Sequence, residues 1–264
     1  MPELPEVAAA ADRLRGALLG RRITRVRVHH AAQRRLLSDA DAASLEGGVV
    51  SGVTRRGKHQ LVELEDGSLI HVHFRMTGDW DIGHVDDPLP PYARVHLDLD
   101  DGERVSLVDP RALSTVRRYA AGIDPLPTLG PEATDPAFDG PALRSALASR
   151  RVAIKLALLD QRVVAGVGNI YASEALWLAR IDPRVASNRV GPLRAKRLAS
   201  AIRQTMARAL ALARRQTAGA GYRDSERFRV YDREGRACRR CGTTIRRIVQ
   251  GGRGTFFCPG CQGR

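Results

Sequence analysis

The sequence predicts an α+β protein: an antiparallel β-domain led by one helix, then a helical domain, then a β-hairpin. Three observations predict this arrangement. Apolar and polar residues alternate, as in β-strands, through the first half, and apolar residues recur at helical spacing after residue 141. All four cysteines fall in the last 27 residues. The length of 264 residues allows one large or two ordinary domains, and a hydrophobic content of 43% is enough to bury a core.

The first half begins with a helix and continues as strands. Apolar residues at helical spacing predict a helix over residues 6–19, which Gly20 ends. Asp66-Gly67 and Asp101-Gly102 are hairpin turn pairs that each join two alternating stretches. The predicted strands are residues 23–28, 49–54, 60–65, 68–74, 93–100 and 104–108. Alternation of this kind is typical of an antiparallel sandwich or barrel.

Glycine and proline recur between residues 122 and 141, which predicts a linker there. Beyond it, helices are predicted over residues 143–149, 152–160, 170–179 and 192–215. Pro192 occupies the first turn of the longest helix, where proline is well tolerated. We therefore expect a β-domain over residues 1–121, a linker over 122–141, a helical domain over 142–227 and a cysteine hairpin over 228–264.

The charge balance favours a polyanionic partner. Lysine and arginine number 43 against 29 acidic residues, a net charge of +14. A basic ribosomal or membrane-surface protein would share this charge, so it does not identify nucleic acid by itself. No apolar run reaches 18 residues, and the N-terminus lacks a basic-then-apolar leader, so we expect neither a transmembrane helix nor export.

The four cysteines predict one structural zinc ion. Cys238, Cys241, Cys258 and Cys261 follow the spacing C-x2-C-x16-C-x2-C, which is close to that of four-cysteine zinc sites. The spacer between the two pairs suits a hairpin that turns at residues 251–254. Two disulfides in an exported module are the alternative, and the missing leader pattern argues against it.

The N-terminal sequence MPELPEV contains a candidate nucleophile. Removal of Met1 would expose Pro2 as a secondary amine, and α-amino groups have a pKa near 8, so part of it is neutral at pH 7. A neutral amine can attack an electrophilic sugar carbon and form an iminium, and Glu3 stands beside it to transfer a proton. Most proteins that begin Met-Pro do no such chemistry, so this feature needs support from the rest of the chain.

Six motifs together supply that support. In chain order they are MPELPEV, RRGKH (55–59), FRMTG (74–78), DPR (109–111), GVGNIYASEALW (166–177) and GRGTFFCPGCQ (252–262). Over essentially its whole length the chain resembles the formamidopyrimidine-DNA glycosylase and endonuclease VIII family of base-excision repair enzymes, and MPELPEV resembles the formamidopyrimidine branch. The resemblance implies an N-terminal β-sandwich, a helix–two-turn–helix domain and a zinc finger.

The resemblance also implies catalytic roles. Pro2 would form a Schiff base with the damaged nucleotide, aided by Glu3, and β,δ-elimination would follow. Lys58 would contact the phosphate at the lesion and assist proton transfer, although an exposed surface lysine is the ordinary alternative. Arg253 would bind phosphate and support the second elimination, and its guanidinium suits that contact.

Further residues resemble the family's DNA contacts. Met76 and Arg111 would enter the space left by an extruded base, with a place in the sandwich core as the alternative for Met76. Asn169 would bind a DNA phosphate or simply cap a helix. Arg150 would contact phosphate or belong, with its neighbour Arg151, to a solvated basic cluster. Glu6 would position the lesion or cap the first helix.

The implied partner is damaged double-stranded DNA, handled by a monomer in the bacterial cytoplasm and bound to the nucleoid through DNA. Two departures from the family leave lesion and opposite-base preference open. Ala112 and Leu113 stand where arginine and phenylalanine are usual, and residues 216–229 are shorter than the family's lesion-capping loop. An endonuclease VIII-like preference for oxidised pyrimidines and a binding protein without turnover are the alternatives. Intact Pro2, Glu3 and Lys58 argue against the second.

Overall fold

The computed structural model describes residues 2–215 and 227–263. The chain divides into two compact units, Met1–Pro127 and Thr128–Arg264. The division falls inside the stretch that the sequence predicts as a linker, and within that stretch Ala133 and Phe138 are fully buried. Among the described helices, none has both the length and the apolar character that crossing a bilayer requires.

The first unit is a sandwich of two four-stranded antiparallel sheets led by helix α1 (Leu4–Leu18). Two short helices, α2 (Ala31–Arg34) and α3 (Asp39–Leu45), follow the first strand. The strands are β1 (Ile23–Val28), β2 (Val50–Arg56), β3 (His59–Leu64), β4 (Leu69–His73), β5 (Asp79–His84), β6 (Ala93–Leu99), β7 (Glu103–Val108) and β8 (Thr115–Tyr119). The strand orders are β1-β6-β7-β5 and β2-β3-β4-β8.

The core of this unit lies between the two sheets and under α1. Alternate residues of the strands and one stripe of α1, including Val7 and Leu14, fill it. One polar contact is enclosed there: the Trp80 indole Nε1–H donates to Gln60 Oε1 at 2.9 Å. A buried indole needs such an acceptor, so the pair fixes how the two sheets meet.

The second unit is a set of helices followed by a hairpin. Its elements are α4 (Gly140–Leu147), α5 (Ile154–Leu159), α6 (Asn169–Leu178), α7 (Pro192–Arg215), β9 (Arg246–Gln250) and β10 (Arg253–Phe257). Helix α4 packs closely on α7, and a Cβ atom at Gly140 would lie 2.6 Å from the Cα of Lys196. Only glycine fits that approach. The buried stripe of α7, which includes Leu198, Ile202 and Met206, agrees with the predicted periodicity.

Two consecutive turns connect α5 to α6, and one side chain holds both. The Gln161 amide donates to the carbonyls of Leu159 and Val167, at 3.1 and 2.9 Å, and its oxygen accepts the Gly166 N–H at 2.9 Å. Gly166 has a φ of +90°, which suits glycine. These bonds confirm the helix–two-turn–helix motif and set where α6 begins.

The prediction from sequence missed four elements of the first unit: α2, α3, β5 and β8. Strand β5 reads DWDIGH and β8 reads TVRRY, so charged residues and a glycine hide their alternation. Helix α1 also begins earlier than predicted, because Pro5 fits its first turn and Glu3 takes the N-cap position.

Candidate functional sites in the two units

The N-terminus of the first unit is tightly held. Pro2 is buried and Glu3, the N-cap of α1, is fully buried. The Glu3 N–H donates to Glu6 Oε2 at 3.0 Å, half of a capping box. Glu6 therefore caps the first helix, as one of its two predicted roles requires. The cap fixes the backbone one residue after Pro2, so the amine of Pro2 starts from a defined position.

Lys58 lies in the two-residue turn between β2 and β3. Gly57 precedes it with a φ of +59°, and the Arg55 guanidinium donates to the Gly57 carbonyl at 2.8 Å. The Lys58 side chain is only 7% exposed, so the alternative of an ordinary exposed lysine is wrong. A lysine is seldom buried without interactions that compensate its charge, and this turn is where the resemblance locates catalytic chemistry.

Met76 and Arg111 lie on two loops that share one carboxylate. Met76 is 38% exposed, so the alternative that it belongs to the sandwich core is wrong, and Arg111 is also exposed. The fully buried Asp109 accepts the Thr77 hydroxyl beside Met76 and the Arg111 N–H at 3.1 Å. It also accepts the N–H groups of residues 113 and 114, each at 2.7 Å.

Asp109 stays ionised because of these bonds. Burial alone would raise the pKa of its carboxyl, but the hydrogen bonds from Thr77, Ser114 and Arg111 hold that pKa below its ordinary value. The sequence analysis counted Asp109 only as part of the DPR motif and missed this role. Asp109 thus holds the two exposed loops together.

We expect Asp109→Asn to uncouple these loops. An amide has one acceptor oxygen and two donor hydrogens in place of a carboxylate, so at least one backbone N–H would face a donor. Unfolding free energy should fall by about 1–3 kcal/mol, and single-turnover excision of a damaged base should slow about tenfold or more. Calorimetry and quenched-flow assays measure the two effects.

Asp39→Asn is the matched control for that variant, because the Asp39 carboxylate is mostly exposed and pairs only at the surface with Arg34. It should change neither quantity measurably. If Asp109→Asn loses stability but excises at the wild-type rate, the carboxylate has a structural role alone.

In the second unit, Asn169 is held at both ends of its amide. Its Nδ2 donates to the Gly254 carbonyl at 3.0 Å, and its Oδ1 accepts the Lys155 ammonium at 3.0 Å. The N-cap of α6 is Gly168, so the alternative that the Asn169 side chain caps this helix is wrong. The bond to Gly254 ties the start of α6 to the hairpin, one residue after Arg253.

Lys155 is a residue that the sequence analysis missed. It is fully buried and also donates to Ser173 Oγ at 2.8 Å. A signal was present, because a single lysine interrupts the apolar run IKLALL of α5. An ammonium kept from water at the start of a helix adds positive potential where that helix end already attracts anions.

Arg253 begins β10 and is exposed at the hairpin tip, as predicted. It pairs with Gln250 across a turn formed by Gly251 and Gly252, whose φ angles are +55° and +72°. These angles favour glycine, so the tip is a tight turn with its arginine projecting outward.

Arg150 is engaged within its own unit. Its guanidinium lies 2.8 Å from Asp160 Oδ2 and also donates to the Ala146 carbonyl at 3.1 Å. Hydrogen bonds from Arg162, and next from Arg150, hold the pKa of Asp160 far below its ordinary value. The arginine is therefore positioned by Asp160, while its neighbour Arg151 is exposed.

The four cysteines converge on one point. Their sulfur atoms all lie within 4.8 Å of one another, and measured pairs are 3.3 Å for Cys241–Cys261, 3.5 Å for Cys241–Cys258 and 3.8 Å for Cys238–Cys261. A tetrahedral zinc ion with bonds of about 2.3 Å needs sulfur atoms roughly 3.8 Å apart. The four thiolates therefore fit one zinc ion without an open position.

The cysteine site also supports helix α6. The Trp177 indole N–H and the Arg240 backbone N–H each donate to Cys238 Sγ at 3.4 Å. The Arg240 guanidinium stacks 3.9 Å from the centre of the Trp177 ring. Such outer contacts orient a metal ligand, and here they connect the cysteine cluster to the helix that begins at Asn169.

Comparisons with known proteins agree along the whole chain. Residues 1–116 match the formamidopyrimidine-DNA glycosylase N-terminal domain, residues 129–219 the H2TH domain of the same glycosylase, and residues 235–263 the zinc finger found in FPG and IleRS. A formamidopyrimidine-DNA glycosylase from Rhizorhabdus wittichii is 40% identical, with 99% of this chain and 100% of the relative aligned. One from Bordetella pertussis is 41% identical over the full length of both.

Solved structures match the chain over the same extent, with lower sequence identity. The Lactococcus lactis formamidopyrimidine-DNA glycosylase bound to DNA that contains an abasic site aligns with a TM-score of 0.89 and 30% identity, over 99% of this chain and 100% of that one. MutM in complex with DNA that contains carbocyclic 8-oxo-G aligns with a TM-score of 0.89 and 29% identity, over the full length of both chains.

Proposed function

Because the chain belongs to the formamidopyrimidine-DNA glycosylase family of bifunctional glycosylases and abasic-site lyases, we propose that Pro2 is the nucleophile with which it removes oxidised bases from duplex DNA. The observation that carries this proposal is the buried Pro2, set one residue before the capped start of α1. Glu3, fully buried beside it, is the proton donor and acceptor of the reaction.

The chemistry follows from a secondary amine. The nitrogen lone pair of Pro2 attacks C1′ of the damaged nucleotide, and the bond from C1′ to the base breaks as the base leaves with a proton. Glu3 passes the proton of the Pro2 nitrogen to O4′, the C1′–O4′ bond breaks, and the opened sugar is left joined to Pro2 as an iminium. The iminium draws electrons from the sugar, so a base removes the C2′ proton and the 3′ phosphate departs. A second elimination expels the 5′ phosphate. We assign Lys58 to the phosphate at the lesion and to proton transfer in these steps.

DNA is held by groups of both units. Met76 and Arg111, joined through Asp109, fill the gap that a flipped nucleotide leaves. Asn169, Arg150 and Arg253 bind phosphates of the backbone, and the net charge of +14 favours this contact. Zinc, when bound, supplies no chemistry at the sugar and holds the hairpin that carries Arg253.

Borohydride trapping on abasic DNA tests the proposal directly. An iminium reduced by borohydride leaves a covalent protein–DNA adduct, and peptide mapping should find it on Pro2. A damage-binding protein without turnover would retain DNA and give no adduct. An adduct on a lysine instead would contradict the assignment of Pro2.

Lesion preference is tested by a cleavage panel of 8-oxoguanine, formamidopyrimidine, thymine glycol, dihydrouracil and abasic duplexes. The relatives are named formamidopyrimidine-DNA glycosylases, and this supports formamidopyrimidine lesions over the oxidised pyrimidines of the endonuclease VIII-like alternative. Leu113 leaves a smaller wedge than an aromatic residue, so opposite-base discrimination should be measured in the same panel. The predicted shortened loop lies mostly outside the described residues.

We further propose a monomer that acts on the nucleoid in the bacterial cytoplasm.

We expect Arg253→Ala to weaken binding to damaged and undamaged duplexes by similar factors. The reason is that Arg253 meets a phosphate, which every sequence offers, so the salt dependence of binding should become shallower by about one unit. Strand cleavage should slow more than base release, because the family role of this residue is in the later elimination. Binding at several salt concentrations and single-turnover product analysis measure these effects.

Arg27→Ala is the control for Arg253→Ala, since Arg27 is half-exposed and already paired with Glu46 at 3.0 Å. Its salt slope should equal that of the wild type. An unchanged slope for Arg253→Ala together with lost lesion preference would show that the hairpin tip reads the lesion instead.

A further inference from the structure

Three histidines form a cluster on the outer face of the sheet that carries Lys58. His59 on β3 lies directly opposite His73 on β4, and His71 lies two residues before His73, so all three share one face. The His59 ring stacks on His71 at 5.0 Å and meets the edge of His73 at 4.9 Å. His59 follows Lys58 immediately, at the end of the turn between β2 and β3.

Hydrogen bonds within the cluster define which nitrogens carry protons. His59 Nδ1 and His71 Nε2 are 2.8 Å apart, so one of them donates to the other. His71 Nδ1 is buried without a partner among the described residues. A buried N–H group without a hydrogen-bond partner is rarer than a buried acceptor without one. The positive charges of Arg117 and Arg75 also favour a lone pair, and not a proton, on His71 Nδ1. His71 therefore carries its proton on Nε2 and donates it to His59 Nδ1.

The hydrogen bond from His71 determines which nitrogen of His59 carries a proton. A neutral imidazole that accepts at Nδ1 carries its proton at Nε2. Among the described residues, the His59 side chain makes a hydrogen bond through Nδ1 and none through Nε2, and the residue is half-buried. Burial, followed by the charges of His71, Arg75 and Lys58, lowers the pKa of His59 to about 4, so the ring is neutral near pH 7. His59 is thus a neutral donor held in one tautomer.

The charged groups around His59 favour an anionic acceptor for its Nε2–H. Lys58 lies close enough for its charge to act on both His59 and His73, and Arg75 acts on all three rings. Arg117 also acts on His71, and the Tyr119 ring lies 6.1 Å from that of His71. A donor among cations, beside the lysine assigned to the lesion phosphate, fits an oxygen of the DNA backbone.

We propose that His59 is a further phosphate ligand of this enzyme, donating its Nε2–H to a DNA backbone oxygen beside Lys58, and that His71 is the positioning residue that fixes this tautomer. The inference rests on the proposed function in one respect, which is that DNA approaches the turn that carries Lys58. His59 adds an uncharged hydrogen-bond donor, so its contribution to DNA binding can be measured separately from that of Lys58.

The tautomers are tested first, in the free zinc-loaded protein. Long-range proton–nitrogen spectra of histidine-labelled protein should show His59, His71 and His73 each protonated at Nε2 at pH 7, with signals assigned from His59→Phe and His71→Phe. His73 is an internal reference, because its Nδ1 accepts the Arg75 backbone N–H at 3.0 Å. A proton on Nδ1 of His59 would overturn the proposal before DNA is added.

Binding is tested second, with a duplex that contains a tetrahydrofuran abasic analogue. We expect His59→Phe to lose about tenfold in affinity with an unchanged salt slope, because a neutral donor releases no counterion. Lys58→Gln should instead make the slope shallower by about one unit. His71→Phe should give an intermediate loss and a mixture of His59 tautomers. Affinity should not change between pH 7.0 and 8.5.

His84→Phe is the control, since His84 is exposed on the other sheet and pairs with Asp86. It should bind as the wild type does. Wild-type affinity of His59→Phe, or a changed salt slope, would overturn the proposal while leaving the function intact if Lys58→Gln still weakens binding. If Lys58→Gln also binds normally, the proposed role of the Lys58 turn fails as well.

Discussion

Replacing Pro2 with glycine should remove most of the borohydride-trapped adduct, by about a hundredfold or more, while DNA affinity stays near that of the wild type. A secondary amine forms an iminium that carries its positive charge at every pH, whereas the imine of a primary amine must first be protonated to draw electrons. The rate of adduct formation on abasic DNA measures the loss. Binding to a tetrahydrofuran duplex measures affinity.

The control for this variant is Pro5→Ala, which also removes a proline from the N-terminal segment but leaves the amine intact. Pro5 lies in the first turn of α1 and should affect stability alone. Parallel loss of trapping and binding in Pro2→Gly would indicate damage to the fold. Trapping at the wild-type rate would remove Pro2 from the mechanism.

Removing zinc should weaken DNA binding by about a hundredfold or more. Without the ion, the four cysteine thiolates would repel one another or be oxidised. The hairpin that carries Arg253 would then no longer be held in place. The effect should extend to α6, because Trp177 and Arg240 both donate to Cys238. Metal analysis should find one zinc ion per chain, and affinity should be measured before chelation, after it, and after zinc is restored.

Tryptophan fluorescence provides a local measurement for the same experiment. The chain has two tryptophans, so Trp80→Phe leaves Trp177 as the single reporter. Its emission should shift on chelation and return with zinc. A protein that contains no zinc, or a chelated one that binds DNA normally, would contradict the assigned role of the cysteine cluster.

Local patterns in the sequence were enough to predict much of the fold. Helix α7 was predicted with its observed bounds because its apolar stripe repeats without interruption and Pro192 marks its start. The cysteine spacing likewise predicted a convergence that the sulfur distances support. Strand β5 was missed because Asp79 and Asp81 give its short alternation the composition of a loop.

The candidate sites depended more on contacts between distant residues. No local pattern shows that Asp109 accepts the Thr77 hydroxyl, since 32 residues separate them. The contact between His59 and His71 depends on strand register, which a one-residue slip would destroy. Motifs identified the residues that carry chemistry, whereas the residues that hold them in place became visible only in three dimensions.

The loops around Asp109 have a consequence for how this enzyme can change. Three of the five described non-glycine residues with positive φ lie there: Arg75 at +56°, Tyr92 at +64° and Ala112 at +52°. Such backbone costs of order 1–3 kcal/mol each and persists because the Asp109 carboxylate and the sheets over-determine it. Glycine at these positions would relieve the backbone strain and raise thermal stability, but it would also make the loops that carry Met76 and Arg111 more flexible. Selection for thermal stability and selection for repair activity therefore favour different residues in this region.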